Sequence, residues 1–433
     1  MLNAPDDPEA QRLAQGAAQA LARGDRTGAT EFARQLLLRR PGDARARHVL
    51  GVVALDAGDA AAAQRHLEAA SAGLPGDPQI LNALGVALRL LGEADGARRA
   101  YVAAGELSLI DGWRNLGALE VAERNFTAAI AAYRRALHIA PQDAAAHAQL
   151  ARLFETRHDL ASAKRHALAA LQAEPSNAIA RVALAQALVR EGDSAGAEAA
   201  AAPVTQAQFA PDDRSLAWTV IGDARDRAGD APAAFAAFTA ANQLRLAEHQ
   251  TLRDAAGHLY HPTGVQAMTQ FVANTDMAAW RTPAPSALPA PVFLVGFPRS
   301  GTTLLDQVLS SHTRIVCLEE EEHLSVALAT VFTSAAKMNA MGALSDDEIE
   351  TVRARYWQEV RRAGVLPDDA VVIDKLPLNI VVLPLIQAIF PETKIILALR
   401  DPRDAVLSCY QHRFSMKRWH GSISGASAGG RVL

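Results

Sequence analysis

Residues 292–308 read Val-Phe-Leu-Val-Gly-Phe-Pro-Arg-Ser-Gly-Thr-Thr-Leu-Leu-Asp-Gln-Val. The apolar run Val292 to Val295 has the composition of a buried parallel strand. Leu304, Leu305, Val308 and Leu309 recur with helical spacing, so Gly296 to Thr303 is the loop between strand and helix. A strand, a glycine-bearing loop and a helix start make an anion site. The free N–H groups and the positive end of the helix dipole favour a phosphate, and Gly296 and Gly301 are expected to let the backbone approach it closely.

The loop has the spacing of the phosphate-binding sequence G-x-x-x-x-G-K-[ST], with Thr302 where the lysine would stand. A nucleoside triphosphatase needs that lysine on the β and γ phosphates, and this loop contains no lysine. Its positive charge comes from Arg299, whose planar guanidinium suits phosphate or sulfate oxygens.

Working toward the C-terminus, strand and helix patterns alternate, which predicts an α/β fold with a parallel sheet. Arg314 to Cys317 reads as a short second strand, and the acidic run Glu319 to Glu322 as the opening of a helix. Ser345 and Glu348 form a capping box for a charged helix reaching about Arg362. Val371 to Ile373 is a third strand, Ile380 to Phe390 a helix, Lys394 to Leu399 a fourth strand, and Asp404 to Tyr410 a last helix. His312 reads as a packing residue. Lys375, just beyond the third strand, can reach the crevice at the strand ends, or can pair at the surface with Asp374. Arg400 can likewise pair with Asp401 or Asp404.

Working toward the N-terminus, the chain repeats. Gly24, Gly58 and Gly92 are spaced by 34 residues, as are Pro41 and Pro75, Pro141 and Pro175, Leu50 and Leu84, and Leu150 and Leu184. Trp113, Leu116, Gly117, Ala129, Tyr133, Ala136 and Pro141 form the fullest copy, and this pattern resembles the tetratricopeptide repeat. Small residues such as Gly51 and Ala63 are expected where paired helices approach, and larger ones such as Leu67 and Tyr133 in the gaps. About seven helical pairs fit an array over residues 10–246. Such an array implies a protein or peptide partner on its surface, with support of the following domain as the alternative. The period fades over 247–290, which reads as a linker region ending in the proline-rich Arg281 to Pro291. His249, His258 and His261 fall near it without acidic partners and read as solvated or packing histidines.

Composition narrows the classes further. A net charge of −4 gives no reason to expect nucleic-acid binding. The two cysteines, Cys317 and Cys409, cannot build a disulfide framework and read as buried thiols. Met1 to Glu9 lacks the charge and apolar core of a signal peptide, and no run is long enough to span a bilayer. The expectation is a soluble cytoplasmic protein without a membrane partner.

The stretch Gly296-Phe-Pro-Arg-Ser-Gly-Thr-Thr-Leu304 resembles the 5'-phosphosulfate loop of sulfotransferases that use 3'-phosphoadenosine-5'-phosphosulfate, and its Arg-Ser-Gly-Thr-Thr core is shared with tyrosylprotein sulfotransferases. Arg400-Asp-Pro-Arg-Asp-Ala-Val-Leu-Ser408 resembles the same family's 3'-phosphate site. The resemblance covers 291–414 and implies that Arg299, Ser300, Gly301, Thr302 and Thr303 hold the 5'-phosphosulfate while Arg400 and Ser408 hold the 3'-phosphate. It implies that Lys375 stabilises charge on the bridging oxygen and that Glu320 is the general base, with Glu319 and His323 behind it. The donor is then the co-substrate, and no metal takes part.

The family's domain continues well past the 3'-phosphate serine, whereas this chain ends 25 residues after Ser408 in a small-residue stretch, 415–433, that reads as an irregular tail. The expectation is therefore an incomplete sulfotransferase fold behind an α-solenoid, either naturally shortened or altered in reading frame near Lys417 to His420. The leading function is sulfuryl transfer to a hydroxyl or amine. The alternative is a repeat-based interaction scaffold carrying an inactive transferase domain.

Overall fold

The computed structural model describes residues 7–248, 261–318, 320–331, 335–364, 366–367 and 369–412. His249, His258, Glu319 and the 415–433 tail lie outside the described residues. The chain divides into two compact units, one comprising residues up to Phe209 with Arg227–Gly229, the other comprising Ala210–Asp226 and Asp230 onward.

The first unit is built from helical pairs: Pro8–Ala22 and Arg26–Arg39 (α1, α2), Ala44–Asp56 and Ala60–Gly73 (α3, α4), Pro78–Leu90 and Ala94–Glu106 (α5, α6), Ile110–Ala122 and Phe126–Ile139 (α7, α8), Ala144–Thr156 and Leu160–Ala173 (α9, α10), and Ala178–Glu191 and Ser194–Ala201 (α11, α12). Each helix packs on the next. First helices of neighbouring pairs also touch, α1 on α3, α3 on α5, α5 on α7 and α9 on α11, which makes the array a solenoid. The period is written into the caps. Asp25 and Asp59 accept N–H bonds at the start of second helices, and Asp43, Asp77 and Asp143 do so at the start of first helices.

The turn inside each pair needs a left-handed residue, which Gly24, Gly58 and Gly92 supply at φ of 75°, 78° and 80°. In the fourth and fifth pairs Arg124 and His158 take that conformation instead. The small-against-large expectation holds. A Cβ on Gly51 would sit 2.5 Å from Leu67, and one on Gly117 would sit 2.6 Å from the Tyr133 ring.

In the fifth pair, His147 Nδ1 lies 2.8 Å from His166 Nδ1, and the Phe154 ring stacks on His166. At this separation one ring donates and the other must remain neutral to accept. Burial, then His147, Arg165 and Arg134, pushes His166 down to about 4. A histidine held neutral by the fold stabilises the native state fully above its unfolded pKa, and this contribution is lost as pH falls from about 6.5 to about 4. The urea midpoint of the wild type is expected to fall across that window, and His166→Gln to flatten the decline.

The second unit begins with one more pair, Pro211–Arg227 and Ala231–Glu248 (α13, α14), in which Gly222 faces Phe238 as Gly117 faces Tyr133. Helix α15, Pro262–Asn274, follows, with His261 as its N-cap, so His261 is a capping residue. Met268 and Phe271 of α15 are buried with Phe293, Tyr356 and Phe390 in the core of the α/β part. Beyond α15 come strand β1 (Val292–Gly296), α16 (Thr302–Ser310), β2 (Ile315–Leu318), α17 (Ser325–Val331), the short α18 (Ala335–Asn339), α19 (Asp346–Ala363), β3 (Val371–Lys375), α20 (Leu383–Ile389), β4 (Ile395–Ala398) and α21 (Pro402–Gln411).

All strand pairings are parallel, in the order β2-β3-β1-β4, with Val292 opposite Ile373 and Leu294 opposite Ile396. The capping box of Ser345 and Glu348 is present at the start of α19. Arg353 of α19 is buried, donates from Nε to Ile389 O at 2.7 Å, and lies over the Phe390 ring.

Several expectations change. The acidic run does not open a helix, because α17 starts only at Ser325 and Glu320 to Glu322 precede it in irregular backbone. Residues Ile380 to Phe390 are not one helix: a 3-10 turn, Pro377–Val382, comes first, and Pro384 is the second residue of α20, in the first turn where its missing N–H costs nothing. His312 is exposed, and its Nδ1 accepts the Arg314 N–H at 3.2 Å, so it closes a turn and does not pack. Both cysteines are free thiols and only half-buried. Among the described residues, no helix is long and apolar enough to cross a membrane.

Candidate functional site

Four strand ends converge in the second unit. In a parallel sheet the carboxyl ends lie on one side, and a crevice opens where neighbouring strands send the chain in opposite directions. Strand β1 lies between β3 and β4, so the loop after β1 sits at that position.

The loop Phe297 to Gly301 turns tightly, with Ser300 N–H donating to Phe297 O at 3.1 Å. Gly301 caps α16 at φ 93°, a conformation that costs glycine nothing, and it has no side chain with which to satisfy the helix's first N–H groups. Those donors are left for a bound anion. Arg299 also adopts the left-handed region, at φ 70°, an uncommon conformation for a side chain with Cβ and one that tends to occur where function fixes the backbone. Gly296 has a different task from the one expected of it. A Cβ there would meet Ala398 O at 2.7 Å, so this glycine permits the pairing of β1 with β4. Thr302, in the place of the absent lysine, is buried, while Thr303 is exposed.

Two groups of side chains flank this loop. On the β4 side, Arg299 Nε donates to Ser408 Oγ at 3.0 Å, and an Arg400 terminal nitrogen donates to Arg299 O at 3.1 Å. Arg400 also lies 3.8 Å from Asp404 in an exposed pair. Such a pair is weak, so the guanidinium can leave it for a phosphate. Cys409 donates its thiol to Pro298 O at 3.6 Å, and burial raises that thiol above its ordinary pKa.

On the β3 side, Lys375 is buried. Its Nζ donates to Glu320 Oε1 at 2.9 Å and lies 3.4 Å from Asp306 Oδ2. The surface pairing of Lys375 with Asp374 is thus replaced. Side chains alternate along a strand, so Asp374 points the other way, into the core. There it accepts from Tyr356 Oη at 2.9 Å and faces His323 Nδ1 at 3.4 Å. Burial first, and then the Asp374 charge, raises the Tyr356 phenol well above its ordinary value. His323 is therefore buried against Asp374, while Glu320 meets Lys375.

Asp306 was missed by the sequence reading. Its signal was a single carboxylate in the otherwise uncharged segment Thr302–Ser310, but which side of α16 faces Lys375 depends on packing. The Tyr356–Asp374–His323 cluster had no local signal, because its members come from three segments. Among the described residues, no group of three or more His, Cys, Asp or Glu side chains is placed to hold a metal ion.

Two family models agree with this architecture. A family model described as the sulfotransferase family matches residues 291–428, and a tetratricopeptide-repeat model matches 48–106 and 148–214. An uncharacterized protein of Aquifex aeolicus (strain VF5) is 31% identical over 140 residues, which cover 31% of this chain and 18% of that relative. The match therefore spans less than a fifth of the relative's length. Among solved structures, a tetratricopeptide repeat protein from Parabacteroides merdae aligns with TM-score 0.42 and 17% identity over 55% of this chain and 94% of its own. PilF of Pseudomonas aeruginosa aligns with TM-score 0.43 and 18% identity over 46% and 91%. The chain carries tetratricopeptide repeats followed, over residues 291–428, by a sulfotransferase-family domain.

Proposed function

We propose that this protein transfers a sulfuryl group from 3'-phosphoadenosine-5'-phosphosulfate to an acceptor hydroxyl or amine. The observation that carries the reading is the Lys375–Glu320 pair, 2.9 Å apart at the carboxyl ends of the strands and on the opposite side of the β1 loop from Arg299, Arg400 and Ser408. The donor's 5'-phosphosulfate would lie on the N–H groups of Ser300 to Thr303 with Arg299, and its 3'-phosphate on Arg400 and Ser408. The residue chemistry fits: guanidinium groups and an uncapped helix start for two polyanionic ends.

The acceptor oxygen attacks sulfur in line while its proton passes to Glu320. The bond from sulfur to the bridging phosphate oxygen breaks, and Lys375 meets the charge that develops on that oxygen. Glu320 and Lys375 hold each other in place, so the base and the cation reach the reacting group as one unit. A protein or peptide acceptor presented by the repeats fits the same reading, since arrays of this kind bind such partners.

Arg400→Ala is expected to weaken adenosine 3',5'-bisphosphate binding by about ten- to a hundredfold in calorimetry, as befits loss of hydrogen bonds from a charged group. Arg299→Ala is expected to weaken it similarly. Unchanged affinity in both variants would overturn the donor assignment. A chain that binds bisphosphate yet never turns over labelled donor would instead be an interaction scaffold with an inactive domain.

A further inference from the structure

Helix α21 carries Ser408 but has little core of its own. Ala405 is its one buried residue among those described, while Val406 and Leu407 are 57% and 49% exposed. It follows β4, an edge strand of the sheet. A helix with so small an apolar anchor needs another means of holding its position, because burial supplies most helical stability in proteins.

That means is α14. The Phe235 ring stacks on Tyr410 with centroids 5.1 Å apart and planes within 17°. Thr239 Oγ1 and Tyr410 Oη share a hydrogen bond at 2.6 Å, and Asn242 Nδ2 donates to Tyr410 O at 2.9 Å. Three consecutive turns of α14 thus converge on one residue. Tyr410 stands two positions after Ser408, about 200° around the helix, so α14 grips one side of α21 while Arg299 meets Ser408 on the other.

We infer that Tyr410 is a positioning residue for the 3'-phosphate end of the donor site, clamped by Phe235, Thr239 and Asn242 of α14. The last helical pair, which reads as a repeat in sequence, is then a working part of the transferase domain. This rests on the donor assignment above.

The test is calorimetry on the full chain with two probes, adenosine 3',5'-bisphosphate and adenosine 5'-phosphate, which lacks the 3'-phosphate. Asn242→Ala and Tyr410→Leu are each expected to weaken the bisphosphate by up to about tenfold, the worth of one or two hydrogen bonds, and to change the monophosphate by less than about twofold. Tyr410→Phe, which keeps the stack, is expected to fall between these variants and wild type. Equal losses for both probes would mean general loss of structure and overturn the inference, as would unchanged bisphosphate affinity in Asn242→Ala. If wild type does not prefer the bisphosphate, the donor assignment fails and this inference fails with it.

Discussion

Lys375→Ala is expected to lower sulfuryl transfer by about a hundred- to a thousandfold while leaving bisphosphate affinity within about threefold of wild type. The split follows from where the ammonium sits. Its side chain is 7% exposed, with Glu320 at 2.9 Å and Asp306 at 3.4 Å. The ammonium has little water around it, and its field acts strongly there because the surroundings are poorly polarisable. Its partners are Glu320 and Asp306, whereas the donor's phosphates are assigned to Arg299, Arg400 and Ser408, so ground-state binding is expected to survive its loss. Lys375→Arg restores the charge but not its compact shape, and is expected to recover only part of the rate. Single-turnover assays with labelled donor, beside calorimetry, separate the two effects. Equal loss of binding and rate would assign Lys375 to donor binding instead.

Asp374→Ala carries the largest expected loss of stability, about 2–3 kcal/mol, as for leaving a buried donor without its acceptor. Asp374 is 1% exposed, and the substitution leaves the buried Tyr356 hydroxyl without its acceptor. It also strands His323, whose ring nitrogens are buried and lack a well-aligned hydrogen bond even with Asp374 at 3.4 Å. Asp374→Asn keeps the volume and one acceptor oxygen, and is expected to cost about half as much. Urea unfolding measures both, and a loss below about 1 kcal/mol for the alanine variant would show that the cluster relaxes or admits water. Asp374 and Lys375 are adjacent on β3 and point to opposite faces. One therefore anchors the segment after β2 from inside, through His323, and the other reaches it through Glu320.

Much of this was legible in the residues themselves. The 34-residue period followed from recurring Gly, Ala, Leu and Pro, because each helical pair must meet its neighbour in the same way. The strand–loop–helix at 292–310 was readable because an apolar run, a glycine-bearing loop and a helical period are local signals. Readings that depended on partners far along the chain went differently. Gly296 answers to Ala398, more than a hundred residues later, and Lys375 to Glu320 and Asp306. In the acidic run, Glu320 to Glu322 lie in irregular backbone, and Glu320 is placed by its pairing with Lys375, a partner 55 positions away.

The sequence by itself determined the repeats, the parallel α/β unit and the anion loop without a lysine, because propensity, periodicity and backbone freedom act over a few residues. Only the tertiary structure decided which carboxylates face Lys375, that Asp374 and His323 turn inward, and that α14 holds the helix bearing Ser408. Those contacts span from about 50 to about 170 positions, and no local preference encodes them; they exist because packing the sheet and its helices brings the strand ends together.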